Sequence, residues 1–302
     1  MTQQDSALRF QRNIWADMGR SLKLVVKSIR PRVIPEGLLL ILLLMIISSF
    51  VITMVSPFDP LRGNPRDRLL PPDIAWQFWD VHVLGTDEQG RDVFVRVLVG
   101  ARYSFTVALI ALGVGGTVGL LVGMISGYMG GKIDSLLMRI TDMVLAVPVI
   151  FLALLLASMF GPSLMLLSLA LASHLWAFYA RMIRGETLSL AHRDFVKLAK
   201  IAGAGSPRII TRHIFPHVTS TWTVLLSLQV GSAILAESSL SFLGAGIPPP
   251  APAWGSMAAK GRRYIETAWW VSVYPGVAIL MTVLIFNLLG DWLRDRLDPR
   301  FQ

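Results

Sequence analysis

Long uncharged runs, separated by short polar segments that carry the charges, set the pattern of this chain. Gly37 to Val55 is 19 residues without a charge. As a helix it covers about 28 Å, close to the hydrocarbon thickness of a bilayer. Tyr103 to Gly131 is a second run. Lys132, Asp134, Arg139 and Asp142 interrupt the pattern, and Met143 to Ala180 is then charge-free for 38 residues. That is room for two spans, with Gly161-Pro162-Ser163 near its middle as the turn. Val218 to Ala236 and about Trp270 to Leu289 bring the count to six predicted membrane-spanning helices. A cleavable leader competes for the first run. That run starts late, however, and is followed by Ser56-Pro57-Phe58-Asp59-Pro60 rather than a small-residue cleavage site, which predicts a retained span.

Composition supports the same class. The 302 residues are 54% hydrophobic and 16% charged, with a mean hydropathy of +0.59. Soluble domains hold about 45–50% apolar and about 25% charged residues. Cysteine is absent, which removes disulfide scaffolds, thiolate metal sites and cysteine nucleophiles. The net charge of +9 is not spread evenly. Residues 1–35 hold seven basic and two acidic side chains, residues 181–217 hold the same numbers, and loop 56–100 holds five basic and seven acidic. Basic segments next to spans stay cytoplasmic. The tail, segment 181–217 and the C-terminus are therefore expected inside, with loop 56–100 and the proline-rich loop near 248–252 outside. The predicted divisions are a basic tail (1–35), a first span with its outer loop (36–99), a five-helix core carrying segment 181–217 (100–291), and a charged tail (292–302).

No catalytic constellation is present. The five histidines are scattered, and there is no H-E-x-x-H zinc motif. Gly131-Lys132 is not a phosphate loop, because Ser126 stands where its first glycine belongs and Ile133 where the Ser/Thr belongs. An ion-coupled carrier needs ionisable groups deep in the membrane, and the inventory is short. Asp142 is spaced to pair with Arg139 on one helix face. His174 reads as hydrogen-bonded between helices, and Glu237 as interfacial at the outer end of its span. Pro148 should kink the third span. Gly119, Gly123 and Gly127 recur every four residues, the pattern that lets helix backbones approach closely. Thr86 with Gln89 reads as a capping box leading into the second span. Pro249 and Trp254, in and beside the proline-rich loop, are candidates for an outer gate or docking surface, with Glu237 a candidate on the substrate pathway.

Segment 181–217 is the most informative. Phe195, Leu198, Ala199 and Ala202 recur at helical spacing. Gly203 and Gly205 then break the helix, and Ser206 with Pro207 is placed to start another. Two readings stand: a helix–turn–helix with a partner, or a basic loop held against anionic lipid.

Here the chain resembles a family. Lys197-Leu198-Ala199, Gly203 and Pro216 match the cytoplasmic coupling motif of binding-protein-dependent ABC permeases, with Lys197 and Leu198 standing where Glu and Ala are usual. Leu84-Gly85-Thr86-Asp87-Glu88-Gln89-Gly90-Arg91-Asp92 is similar to a signature of the second permease subunit of dipeptide, oligopeptide and nickel importers. So are Met138-Arg139 with Asp142 and Pro148, then Leu240-Ser241-Phe242-Leu243-Gly244 with Pro249, Pro252 and Trp254-Gly255, and finally Asn287 through Pro299. The resemblance implies an all-α membrane protein with the type I ABC importer permease (MetI-like) fold in the cell inner membrane. It implies half of a pore, completed by a second homologous permease, with two ATPases inside and a solute-binding protein outside. No nucleic acid partner, catalytic residue, metal site or bound cofactor is implied for this chain, since ATP and Mg are used by the ATPases. The coupling contact would involve Asp194, Phe195, Lys197, Leu198, Ala199, Lys200, Gly203, Ala204, Arg208 and Pro216, with Phe195, Leu198 and Ala199 as the face packed on the ATPase. Di- or oligopeptides are the expected solutes, with nickel, glutathione or opines as alternatives. A stand-alone carrier or channel is the reading from another class.

Overall fold

The computed structural model describes residues 33–73 and 82–297. Most of the basic tail expected over 1–35, and the last residues of the chain, lie outside them. The described residues are helical, joined by loops. Helix α1 (Val33–Val55) is apolar around its whole circumference, as a lipid-facing helix is. Helix α2 (Val93–Met129) begins ten residues before the predicted run, so Arg96 and Arg102 lie inside it. Helices α3 (Gly131–Ala146) and α4 (Val149–Phe160) follow, then α5 (Leu164–Ala191). Five helices are long and apolar enough to cross a membrane, or six if α3 and α4 count as one broken span.

Pro148 does more than kink the third span. It separates α3 from α4, whose axes differ by 76°. Proline lacks the N–H that would continue the ladder and disfavours helical backbone in the residue before it. Val147 accordingly is extended, with φ −92° and ψ 116°. The turn at Gly161-Pro162-Ser163 forms where expected, and the Ser163 hydroxyl caps α5 through the Leu166 N–H at 3.1 Å.

A glycine ladder joins α2 to α5. A Cβ on Gly115, Gly119, Gly123 or Gly127 would come within 2.9 Å of α5 atoms, among them the Tyr179 Cβ at 2.4 Å from Gly119 and the Ala180 carbonyl at 2.7 Å from Gly123. The four-residue spacing thus marks one face of α2 on which another backbone lies directly, as small-residue ladders allow.

On the side expected to be cytoplasmic come α6 (Asp194–Ile201) and α7 (Ser206–Ile209), a single π-helical turn over Ile210–Ile214, and α8 (Phe215–Phe242). The expected cap moves by one residue: Ser206 is already helical, Gly205 occupies the cap position, and no side chain caps α7. Helix α9 (Trp254–Gly261) and a 3-10 turn over Arg262–Tyr264 lie in the loop expected outside, before α10 (Trp270–Leu297).

Candidate functional site

Segment 192–218 is held by its own apolar side chains. Val196, Ile209, Ile214 and Val218 are fully buried against Leu120 and Met124 of α2 and Ile183 of α5. Phe195, Ala199 and Ala204 pack beside them. The Phe195 ring lies 5.1 Å from that of His217, and the Lys200 ammonium 5.0 Å from the Tyr128 ring centroid. The end of α6 follows the Schellman pattern. Gly203 N–H donates to the Lys200 carbonyl and Ala204 N–H to that of Ala199, both at 3.0 Å. Gly203 sits at φ +80°, a left-handed conformation that costs other residues about 1–2 kcal/mol. Open space surrounds its Cβ direction, so glycine is required here by backbone conformation alone.

The expected packed face of α6 divides in two. Phe195 and Ala199 face the chain's own spans, while Leu198 is 65% exposed. Ile201, three residues on and missed by the sequence reading, is 83% exposed. The two form an outward apolar pair, and burying each would contribute about 1.5–3 kcal/mol. Asp194 and Lys197 pair with each other at 3.0 Å on the exposed surface, and Arg208 is exposed. Pro216 is the second residue of α8, just after the π turn.

Two ion pairs strap α3 to α5 beside this segment. Arg184 holds Asp134 in a two-pronged contact, with Nη2 at 2.6 Å from Oδ2, and Ser126 of α2 also donates to Asp134. Asp142 pairs with Arg181 rather than with Arg139, which the i,i+3 spacing suggested.

The outer end of α2 is built from polar bonds instead. Thr86 does not cap the helix. Its hydroxyl takes the Leu70 N–H at 2.8 Å and donates to the Asp67 carbonyl, and Trp270 Nε1 donates to the Thr86 carbonyl at 3.1 Å. The cap is Asp92, whose Oδ1 accepts the Val95 N–H at 2.8 Å while Oδ2 meets His82 Nδ1 at 2.9 Å. Burial raises the Asp92 pKa, with the hydrogen bonds from Val95 and His82 opposing. Asp87 is buried with two arginines. Arg91 lies 2.7 Å away through Nε and Nη2, and Arg96 3.4 Å. Arg96 also reaches the carbonyls of Pro60 and Pro250, tying the outer loops to α2.

Glu237 is fully enclosed rather than interfacial. It accepts from Ser104 of α2 at 2.9 Å, Ser241 at 2.8 Å and Ser238 at 3.2 Å. Trp254 is a core residue, 1% exposed, bonded through Nε1 to the Val97 carbonyl at 2.8 Å. Pro249 is exposed on its loop. His174 Nδ1 is buried without a hydrogen-bond partner among the described residues, against the expected interhelical bond.

Residues 119–302 match the family described as "Binding-protein-dependent transport system inner membrane component". The chain is 41% identical over 263 residues to the probable D,D-dipeptide transport system permease protein DdpC of Escherichia coli K12, covering 87% of this chain and 85% of that one. It is 38% identical to the di/tripeptide transport system permease protein DppC of Pseudomonas aeruginosa, covering 88% of each. It is 39% identical to the oligopeptide transport system permease protein OppC of Haemophilus influenzae, covering 72% and 70%. In fold it is similar to a chain of the MetNI methionine ABC transporter in an inward-facing conformation, with a TM-score of 0.56 and 16% identity over 67% of this chain and 96% of that one. With its apolar spans, its glycine-terminated helix α6 and this extent of identity, the chain belongs to the family of binding-protein-dependent transport system inner membrane components, the permease subunits of ABC importers.

Proposed function

We propose that this chain forms half of the pore of a peptide importer and receives the ATPase stroke through α6. The supporting observation is the division of that helix: Phe195, Val196 and Ala199 anchor it to the spans, and Leu198 and Ile201 project away from them. A second homologous permease completes the pore, one of the two ATPases docks at Leu198 and Ile201 while the other meets the partner permease, and a solute-binding protein meets the outer loops around exposed Pro249. ATP and Mg stay with the ATPases. Both termini lie in the cytoplasm, consistent with the positive charge of segment 181–217. The peptide names of the relatives favour di- or oligopeptides over nickel, glutathione or opines.

Reconstitution with the partner permease and binding protein, with and without the ATPases, tests the reading. Labelled dipeptide uptake should require the ATPases and ATP. Uptake that proceeds unchanged on an ion gradient alone would overturn it in favour of a carrier.

A further inference from the structure

A cavity of about 570 Å³ opens outside the spans, between loop 84–92, the end of α8, and α9 with its following turn. That volume is typical of small-ligand sites. Lys260, Arg262 and Arg263 line it, with Glu88 as the acidic lining residue. Among the described residues, no carboxylate lies within ion-pair distance of any of the three basic groups. Glu88 is already drawn to Arg91 at 3.6 Å. Behind it the single carboxylate of Asp87 serves both Arg91 and Arg96, and all three are buried. Five cations therefore gather around two carboxylates. Phe242 and Tyr264 supply aromatic surface, with Arg262 lying 5.8 Å from the Phe242 ring centroid. Arg68 donates to the Tyr264 hydroxyl at 3.2 Å and adds a further positive charge near the rim.

Arg262 and Arg263 are exposed, whereas Lys260 is half-buried and feels the crowding. Burial is the chief cause of a Lys260 pKa below the ordinary lysine value. Glu88 and Asp87 oppose it, while Arg91 and Arg96 add to it. An anion entering the cavity would relieve the repulsion at Lys260, and a cleft with an excess of one sign of charge concentrates ligands of the other.

We infer that this cavity is an outer subsite for the C-terminal carboxylate of a short peptide, with Lys260 and Arg263 holding the anion and Phe242 and Tyr264 flanking the adjoining side chain. The identity of the ligand rests on the peptide-import reading, whereas the preference for an anion rests on the charges alone.

The chain has no cysteine, so Gln89→Cys places a single environment-sensitive fluorophore at the cavity. The assembled importer, with its other subunits cysteine-free and the binding protein omitted, is titrated with N-acetyl-dialanine and with its C-terminal amide. The acid should change the emission saturably and the amide should not. Lys260→Gln with Arg263→Gln should weaken the half-saturation about tenfold, as expected for loss of charge-assisted bonds, with basal ATP hydrolysis retained as the sign of assembly. Should the double variant not assemble, each single substitution is expected to weaken it about threefold. Equal responses to acid and amide, or a response indifferent to these substitutions, would overturn the inference. So would a second titration, with the binding protein added and no peptide, in which the emission changes although the dipeptide acid had left it silent; that would mark a protein-docking face. Dipeptide uptake by the same importer separates the two levels. Transport with a silent cavity sinks the subsite alone. A cavity that answers the carboxylate in an importer that moves no peptide sinks the substrate reading and leaves the anion site.

Discussion

The two ends of α2 are secured by opposite means. At the inner end, segment 192–218 is fastened by apolar contacts around Val196, Ile209 and Ile214, while Leu198 and Ile201 remain open to solvent. At the outer end, loop 84–92 is fastened by buried charge and hydrogen bonds converging on Asp87, Thr86 and Asp92. An apolar anchor tolerates small sliding, since dispersion contacts are many, weak and undirected. A buried ion cluster is directional and strongly penalised when one member leaves. The inner end is thus suited to being pushed, and the outer end to keeping its shape.

Removing a buried partner tests that contrast most severely. Arg91→Met should destabilise the chain by about 3–5 kcal/mol, because buried Asp87 would lose its close ionic partner and keep only the longer contact to Arg96 beside its backbone N–H donors. A drop in thermal midpoint in detergent checks it, and an unchanged midpoint would deny the outer cluster its structural weight. Next in size, Leu198→Asp with Ile201→Asp should cut ATP-driven uptake by about tenfold or more through lost burial at the ATPase contact. The midpoint should hardly move, as these side chains touch little within the chain. A large stability loss with normal uptake would reverse the comparison.

Gly203→Ala should cost about 1–2 kcal/mol locally by forcing alanine into the left-handed region. It should loosen coupling, seen as ATP hydrolysis without matching uptake. The smallest effect is expected from Lys197→Ala. Its pair with Asp194 is exposed, and such pairs contribute less than about 1 kcal/mol, so uptake and midpoint should both stay near the parent values. A strong uptake loss would give Lys197 a role in the ATPase contact beyond this pair.

Much of the architecture was legible because membrane burial is written locally. Charge-free runs gave the spans, Gly161-Pro162-Ser163 the turn, and the four-residue glycine spacing a packed face. The misreadings lie where the deciding partner is distant in sequence. Asp142 finds Arg181 across helices, which no i,i+3 spacing can foresee. Glu237 is enclosed because Ser104 lies 133 residues earlier. Helical periodicity grouped Phe195, Leu198 and Ala199 on one side of α6, but could not say where the neighbouring spans would stand. Ile201, an isoleucine three residues from Leu198 in a basic segment, was the available signal for the outward pair. Arg91 and Arg96 ran against the expectation that arginine stays wet; the nearby Asp87 hinted at pairing but not at burial.

The glycine ladder bears on how force would travel. With 37 residues, α2 is about 55 Å long, and the ladder seats it on α5 with no side chain on the α2 side of the contact. Such a pair resists shear and acts as a stiff strut, one end beside Lys200 of α6 and the other capped by Asp92. A displacement applied at α6 would then arrive at the outer loops as a tilt of the whole strut, without a relay of rotamer changes along the way. The flexure would fall instead at the break between α3 and α4, where Val147 and Pro148 leave the ladder of backbone bonds open.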